Sequence, residues 1–152
     1  MAYTTTEGRE QLLSALAEAT DEAGATLAFI GAAYEQLDDQ SADRLEETLF
    51  GPAQRAYGRA KRTHSGFAQR HGLAVRSFAP PALPPSSLKA KELIESAAAS
   101  AERVDETLAK LQDDQALVEV GDVELRSGVA SVREAIGSVP MSAREFLRTL
   151  GR

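Results

Sequence analysis

The stretch 13-LSALAEATDEAGATLAFIGAAYEQL-37 decides the fold of this 152-residue chain. Its apolar positions are separated by three and four residues in alternation, which is the heptad pattern of a helix that packs along one face. Only Thr20 is a polar member of this series, which runs Leu13, Leu16, Thr20, Ala23, Leu27, Ile30, Tyr34, Leu37. With the capping-box spacing of Thr4 and Glu7 before it, the pattern predicts a helix from about residue 5 to 37, about 50 Å long.

A second helix is predicted to follow the polar turn 38–41 and to end near His71, where Gly72 stops it. Gly51 and Pro52 interrupt its apolar series. A proline inside a helix removes one backbone hydrogen bond and clashes with the preceding turn, so we expect a kink or a short break there.

Two more long helices are predicted in the second half of the chain. Ser86 or Ser87 is expected to cap the third, whose apolar positions run from Ala90 to Leu111 in the same alternating spacing. After a turn at 112–114, the fourth carries a Val-rich series that Pro140 is expected to end. The spacing of Ser142 and Glu145 predicts a capping box that opens a short last helix.

The segment 73–86 contains two Pro-Pro pairs and is predicted to be extended, with Phe78 and Leu83 as candidate contacts to the core. We therefore expect 1–152 to form a single all-α domain, with a first helical hairpin over 1–72, a Pro-rich connection over 73–86, and a second hairpin plus C-terminal helix over 87–152. Short turns favour antiparallel neighbours and predict an up-down four-helix bundle with a short C-terminal helix. The alternative is an extended pair of hairpins completed by dimerisation.

Composition sets the class of protein that we expect. There is no Cys, so disulfides, thiol nucleophiles and Cys-ligated zinc are excluded. The N-terminal residues do not have the pattern of a signal peptide, and no apolar run approaches the roughly 20 residues of a membrane span. We expect a soluble, cytoplasmic protein without a membrane partner. Much of its apolar content is Ala, which buries little area, so we also expect a partner protein or a homo-oligomer to add burial.

Charge is segregated along the chain in an acidic, basic, acidic order. Residues 1–50 carry eleven acids and two bases, residues 51–91 carry eight bases and no acid, and residues 92–152 carry twelve acids and seven bases. Arg55, Arg59 and Arg62 fall at i, i+4 and i+7, on one face of the second helix, and Arg70 extends the basic region. We call Arg55, Arg59 and Arg62 the basic stripe. It either lies against the acidic first helix or is open to phosphates or to an acidic protein.

One spacing in this helix resembles a family motif. Arg59-Ala-Lys-Arg-Thr-His64 is similar to the Arg-x4-His motif of the HEPN family, helical bundles that include metal-independent ribonucleases. The resemblance covers six residues and implies that Arg59 would stabilise phosphate charge while His64 would act as the acid/base group. The family usually has a polar residue after the Arg, whereas Ala60 follows it in this chain.

No other catalytic constellation is predicted from spacing. His64 and His71 are the only histidines and lie two helical turns apart, too far to bind one metal ion, so we expect no metal and no cofactor. The sequence favours a non-enzymatic helical bundle that acts through protein–protein interaction or self-association. The alternative is a nucleic-acid-associated protein that uses the basic second helix, in its sharpest form an HEPN-like ribonuclease.

Overall fold

The computed structural model describes residues 4–79, 81–85 and 87–150, and every regular element in these residues is helical. The prediction of an all-α chain is therefore confirmed over the described residues. Seven α-helices and one π-helical segment follow each other: α1 Thr5–Tyr34, α2 Asp39–Leu45, the π-helical segment Glu46–Phe50, α3 Gly51–Arg70, α4 Ala90–Asp113, α5 Gln115–Val120, α6 Val123–Gly137 and α7 Val139–Leu150.

The capping signals at the start of the chain are formed as predicted. The Glu7 amide donates to Thr4 Oγ1 at 3.1 Å, and the Thr4 amide donates to the Glu7 carboxylate at 3.4 Å. Helix α1 ends at Tyr34, one turn before the expected end. Asp38 then caps α2 by accepting a hydrogen bond from the Ser41 amide at 2.8 Å.

The interruption expected at Gly51-Pro52 takes the form of the π-helical segment. The Gly51 amide donates to the Glu46 carbonyl, five residues back, where an α-helix would bond four residues back. Such a wide turn accommodates the extra residue and is found mainly as a single turn inside α-helices. Pro52 consequently sits in the first turn of α3, where a missing amide hydrogen is tolerated.

Helix α1 is the central element, and its most extensive contact is with α4. Both helices carry fully buried alanines, including Ala19 and Ala23 on α1 and Ala97 and Ala101 on α4. The Ala-rich helices α1 and α4 contact each other within one chain, which accounts for the burial of their alanines. The partner protein or homo-oligomer expected from the sequence remains a prediction.

The order of helix directions differs from simple up-down alternation. Glu22 on α1 contacts Ser100 and Arg103 on α4, while Arg9, near the start of α1, donates to the Val120 carbonyl, which follows α4 in the chain. Helix α1 is thus antiparallel to α4.

Helix α1 is also antiparallel to α3, because Gly24 lies beside Tyr57 whereas Leu13 lies beside His64. Helices α3 and α4 therefore run in the same direction. The Pro-rich connection must return along the length of the bundle, instead of crossing one end as the up-down arrangement implied.

Of the two residues of the connection that were predicted to contact the core, only Phe78 is packed against a helix. Phe78 is half-buried, with its ring centroid 5.1 Å from that of His64, whereas Leu83 is 83% exposed. Lys89 occupies the N-cap position of α4, and its amide donates to the Glu92 carboxylate at 3.2 Å. The expectation that a serine caps this helix is wrong for Ser87, and Ser86 lies outside the described residues.

The fourth predicted helix is divided into α5 and α6. Gly121 separates them with an extended backbone that only glycine fits, because a β-carbon there would collide with the Leu117 carbonyl oxygen. Asp122 then starts α6 by accepting from the Leu125 amide at 2.7 Å. The capping box predicted at Ser142 is also wrong. Helix α7 already begins at Val139, with Pro140 in its first turn, and the Ser142 amide donates to the Ser138 carbonyl.

Two glycines inside helices give opposite predictions for stability. A methyl group at Gly128 would overlap the Thr63 side chain of α3, whereas one at Gly31 would meet no atom within 4 Å. Gly31→Ala should raise the free energy of unfolding by up to about 1 kcal/mol, because Ala favours helix over Gly. Gly128→Ala should lower that free energy despite the same gain in helix propensity. Urea unfolding of both variants measures the difference, and two equal, stabilising effects would contradict the close packing of α3 against α6.

Candidate functional site

The basic stripe of α3 is open to solvent. Arg55 and Arg62 are exposed, and Arg59 donates from Nη1 to the Ser131 carbonyl of α6 at 3.2 Å. Within the described residues no carboxylate lies within 4.0 Å of any of the three guanidinium groups. The interpretation in which the acidic first helix covers the stripe is therefore not what the structure shows.

The acidic residues of α1 are paired with other parts of the molecule. Both carboxylate oxygens of Asp21 accept from Nη2 of Arg76, in the connection, at 2.9 and 3.1 Å. The Glu22 carboxylate accepts from Arg103 Nε of α4 at 2.7 Å and from Ser100 Oγ at 2.8 Å. Charge complementarity thus orders α1 against α4 and the connection, and leaves the basic stripe of α3 free.

Arg70, expected to extend the basic region, is taken up by an ion-pair cluster at the end of α3. Its Nε and Nη2 donate to Asp122 at 2.9 and 3.0 Å, and Asp122 also contacts His71 Nε2 at 2.8 Å. Partial burial would raise the pKa of the Asp122 carboxyl. The hydrogen bonds from Arg70, from the Leu125 amide and from His71 outweigh that effect and hold the pKa well below its usual value. This cluster joins the end of α3 to the start of α6.

Arg59 and His64 lie on different faces of α3. Five residues along an α-helix correspond to a rotation of about 140°, so the two side chains diverge. Arg59 faces α6, whereas His64 is 3% exposed and lines a groove with Leu13 and Ala17 of α1. The structure therefore does not bring together the pair that the HEPN resemblance singles out.

A further candidate site, which the sequence did not indicate, lies where the π-helical segment passes the end of α1. An open cavity of about 360 Å³ is lined by Gly31 and Tyr34 of α1, by Glu35 directly after it, and by Glu46 and Phe50 of the π-helical segment. We call it the aromatic notch. Tyr34 is 38% exposed and Phe50 is half-buried, so two aromatic rings border the space that the missing side chain of Gly31 leaves open. The heptad series placed Tyr34 in the core, and no sequence pattern indicated a π-helical turn beside it.

Glu35 and Glu46 line the aromatic notch, and four more carboxylates lie in the same stretch of chain, residues 35–47. All of them are exposed, and in the described chain none lies within 4.0 Å of a basic side chain: Glu35, Asp38, Asp39, Asp43, Glu46 and Glu47. Arg44 is the one base in this stretch, and it is turned toward α7, where it contacts Thr149 and the Phe146 ring. The notch therefore combines two aromatic rings with two exposed carboxylates that have no basic partner in the described chain.

Two kinds of feature are absent from the part of the chain that the structure describes. No group of three or more His, Asp or Glu side chains is arranged there to hold a metal ion. None of the described helices has the length and hydropathy needed to cross a lipid bilayer.

Comparison with known proteins adds no relative to this description. No protein-family model, no curated protein and no solved structure matches the chain.

The Asp122 cluster makes a prediction about acid stability. Because the folded-state pKa of Asp122 is lowered, its contribution to stability is complete above the unfolded-state pKa of about 3.9 and is lost as the pH falls below that value. Asp122→Ala should lower the free energy of unfolding at pH 7 by about 1 to 2 kcal/mol, since a helix cap is lost together with the ion pair. Asp122→Asn, which can still cap α6, should lose less.

Urea unfolding at pH 7 and pH 3 measures both effects. The matched control is Glu124→Gln, which removes a carboxylate that also contacts Arg70 but is 67% exposed and should change stability little. Equal losses in Asp122→Ala and Glu124→Gln would show that the cluster has no special role.

Proposed function

We propose that this protein is non-enzymatic and acts by binding a partner protein at the aromatic notch, and that the partner presents a basic, amphipathic segment. The observation that carries the proposal is the notch itself, an open space between the aromatic rings of Tyr34 and Phe50 that is also lined by the exposed carboxylates of Glu35 and Glu46. Aromatic side chains in such depressions supply a large share of binding energy at protein interfaces.

The chemistry of the notch defines the partner segment. A large apolar side chain of the partner would enter the space above Gly31 and contact Tyr34 and Phe50. Lys or Arg side chains on either side of it would meet Glu35 and Glu46. Complementary charge at the rim of an interface accelerates association and fixes orientation, while the buried apolar contact determines most of the affinity.

A second copy of this chain fits the notch less well than a different protein. Its basic stripe would supply the positive charge. However, the large apolar side chains that are exposed in the described chain are Tyr34, Val75, Leu83, Val118, Val123 and Met141, and none of these lies on α3. The stripe therefore has no apolar group to enter the notch.

The notch can be tested with two designed peptides of identical pattern, an amphipathic helix of Leu and Lys and its Leu and Glu counterpart. The Leu/Lys peptide should bind, and Tyr34→Ala should weaken its binding at least tenfold, since truncating an interface aromatic typically removes more than about 1.4 kcal/mol. Isothermal titration calorimetry gives both affinities. Equal binding of the two peptides, or unchanged affinity in Tyr34→Ala, would contradict the proposal.

The matched control is Val118→Ala, which truncates a residue that is 72% exposed on α5, next to the opposite end of α1. It should leave peptide binding unchanged. Light scattering of the free protein distinguishes a different partner protein from self-association. A dimer that becomes monomeric in Tyr34→Ala would identify a second copy as the occupant of the notch.

A second candidate function is the binding of a nucleic acid by the basic stripe. The observation that supports it is that Arg55 and Arg62 are exposed and have no carboxylate partner among the described residues, so their charge is available to phosphates. No cleavage is proposed, because Arg59 and His64 diverge and His64 is buried.

Fluorescence anisotropy with labelled RNA and DNA at increasing salt tests this candidate. Replacing both Arg55 and Arg62 by Ala should weaken binding about tenfold or more and reduce the salt slope by roughly 1.5 to 2, about one unit for each lost phosphate contact. Arg144→Ala, which removes an exposed arginine paired with Glu102 at 2.6 Å, serves as the control. Binding that does not depend on salt, or that Arg144→Ala weakens equally, would argue against the stripe.

A further inference from the structure

The extended segment between α3 and α4 lies along the groove between α1 and α3. We call its described residues, 73–79 and 81–85, the strap. Leu73 lines a groove with Leu13 of α1, and Arg76 reaches Asp21 further along the helix. Beyond that, Pro81 lies beside Gly24, where its Cδ would be 3.5 Å from an added β-carbon. The strap thus follows α1 from its first third toward its C-terminal end.

Few interactions hold the strap in place. At its start, the Leu73 amide donates to the Ala68 carbonyl at 2.8 Å, and among the described residues no other backbone hydrogen bond joins the strap to a helix. Its outward side is apolar and exposed, with Val75 at 52% and Leu83 at 83%. The contacts that remain are made by side chains, chiefly Arg76 with Asp21 and Phe78 with His64. Such a segment can open without unfolding the helices.

His64 is the most unusual group beneath the strap. Its side chain is buried, and its Nδ1 atom is enclosed without a hydrogen-bond partner. The edge of one ring meets the face of the other where Phe78 packs against it, at an interplanar angle of 84°. Arg76, whose guanidinium carbon lies 4.6 Å from the centroid of the Phe78 ring, adds a positive charge nearby. Neutral imidazole suits this environment because it can be buried as an apolar ring with little polar surface.

Protonation would change that balance. An imidazolium ion has two N–H donors, and one of them would be enclosed without an acceptor. No carboxylate of the described chain lies within 4.0 Å of an imidazole nitrogen of His64. Asp21 is paired with Arg76, and Glu10 lies at the rim of the groove on α1. On α3, the Lys61 ammonium is engaged in a cation–π contact with the neutral ring of Tyr57.

We infer that the strap is a proton-sensitive closure. It packs against the bundle while His64 is neutral, and its residues 76–78 detach from the bundle when His64 is protonated. Detachment would give water access to the imidazole and separate it from the Arg76 charge. Burial lowers the pKa of His64 in the closed form, Arg76 lowers it further, and Asp21 partly opposes this. A lowered pKa means that the closed form is favoured above the ordinary histidine pKa of about 6.5 and loses stability as the pH falls below it.

The absence of cysteine makes the strap easy to label. A nitroxide attached to Val75→Cys, an exposed position, reports the mobility of the strap by electron paramagnetic resonance at room temperature. The spectrum should show restricted motion at pH 7.5 and several-fold faster motion in a growing fraction of molecules toward pH 5. Circular dichroism recorded on the same samples should stay helical, because only the strap opens.

Two variants assign the effect to one histidine. His64→Leu, which keeps an apolar side chain but cannot be protonated, should remain restricted at both pH values, whereas His71→Gln should behave like the parent protein. If His64→Leu proves unstable, NMR titration of the imidazole carbons in the parent protein replaces it. The pH midpoint of the change in label mobility must then coincide with the titration midpoint of His64 and not with that of His71. A label whose motion does not depend on pH, or a transition that persists in His64→Leu, would overturn the inference.

Discussion

The contact between α1 and α4 constrains the rest of the structure. Buried alanines let the two helices approach closely, and their many small dispersion contacts add to the burial of larger side chains such as Leu16 and Ile94. A polar network fixes the register of this contact: Thr26 donates to Ser100 Oγ at 2.8 Å, and Ser100 donates to the Glu22 carboxylate at 2.8 Å. Because these groups are buried or partly buried, a shift of one helix along the other would leave them without partners.

The path of the chain follows from this contact. Helix α1 is antiparallel to both α3 and α4, so the chain must travel back along the bundle between those two helices. A Pro-rich strap does this efficiently, since an extended segment covers about 3.1 Å per residue, twice the rise of a helix. The strap thereby covers the groove between α1 and α3, and its presence there encloses His64. A buried histidine without a full set of hydrogen bonds is a consequence of this route.

The distribution of charge has a structural and a functional side. Asp21 and Glu22 are used for packing, because they meet Arg76 of the strap and Arg103 of α4. Once these are satisfied, the acidic residues around the aromatic notch and the arginines of the basic stripe remain without partners of opposite charge in the described chain. The two surfaces lie on different parts of the molecule, and the proposed functions assign a different class of partner to each. Asp122 stands apart from both, since it stabilises the junction of α3 and α6.

The sequence by itself determined the all-helical class, the first capping box, the polar turn at Asp38 and the interruption at Pro52, because each depends on residues only a few positions apart. It also located the basic stripe on one helix face. Only the tertiary structure decided which helices contact each other, and therefore that α1 faces α4, that Arg59 and His64 diverge, and that the stripe is open. The sequence also did not predict the division of the fourth helix at Gly121 or the aromatic notch. The notch arises where the end of α1 passes a π-helical turn, and heptad spacing carries no information about a contact between residues so placed.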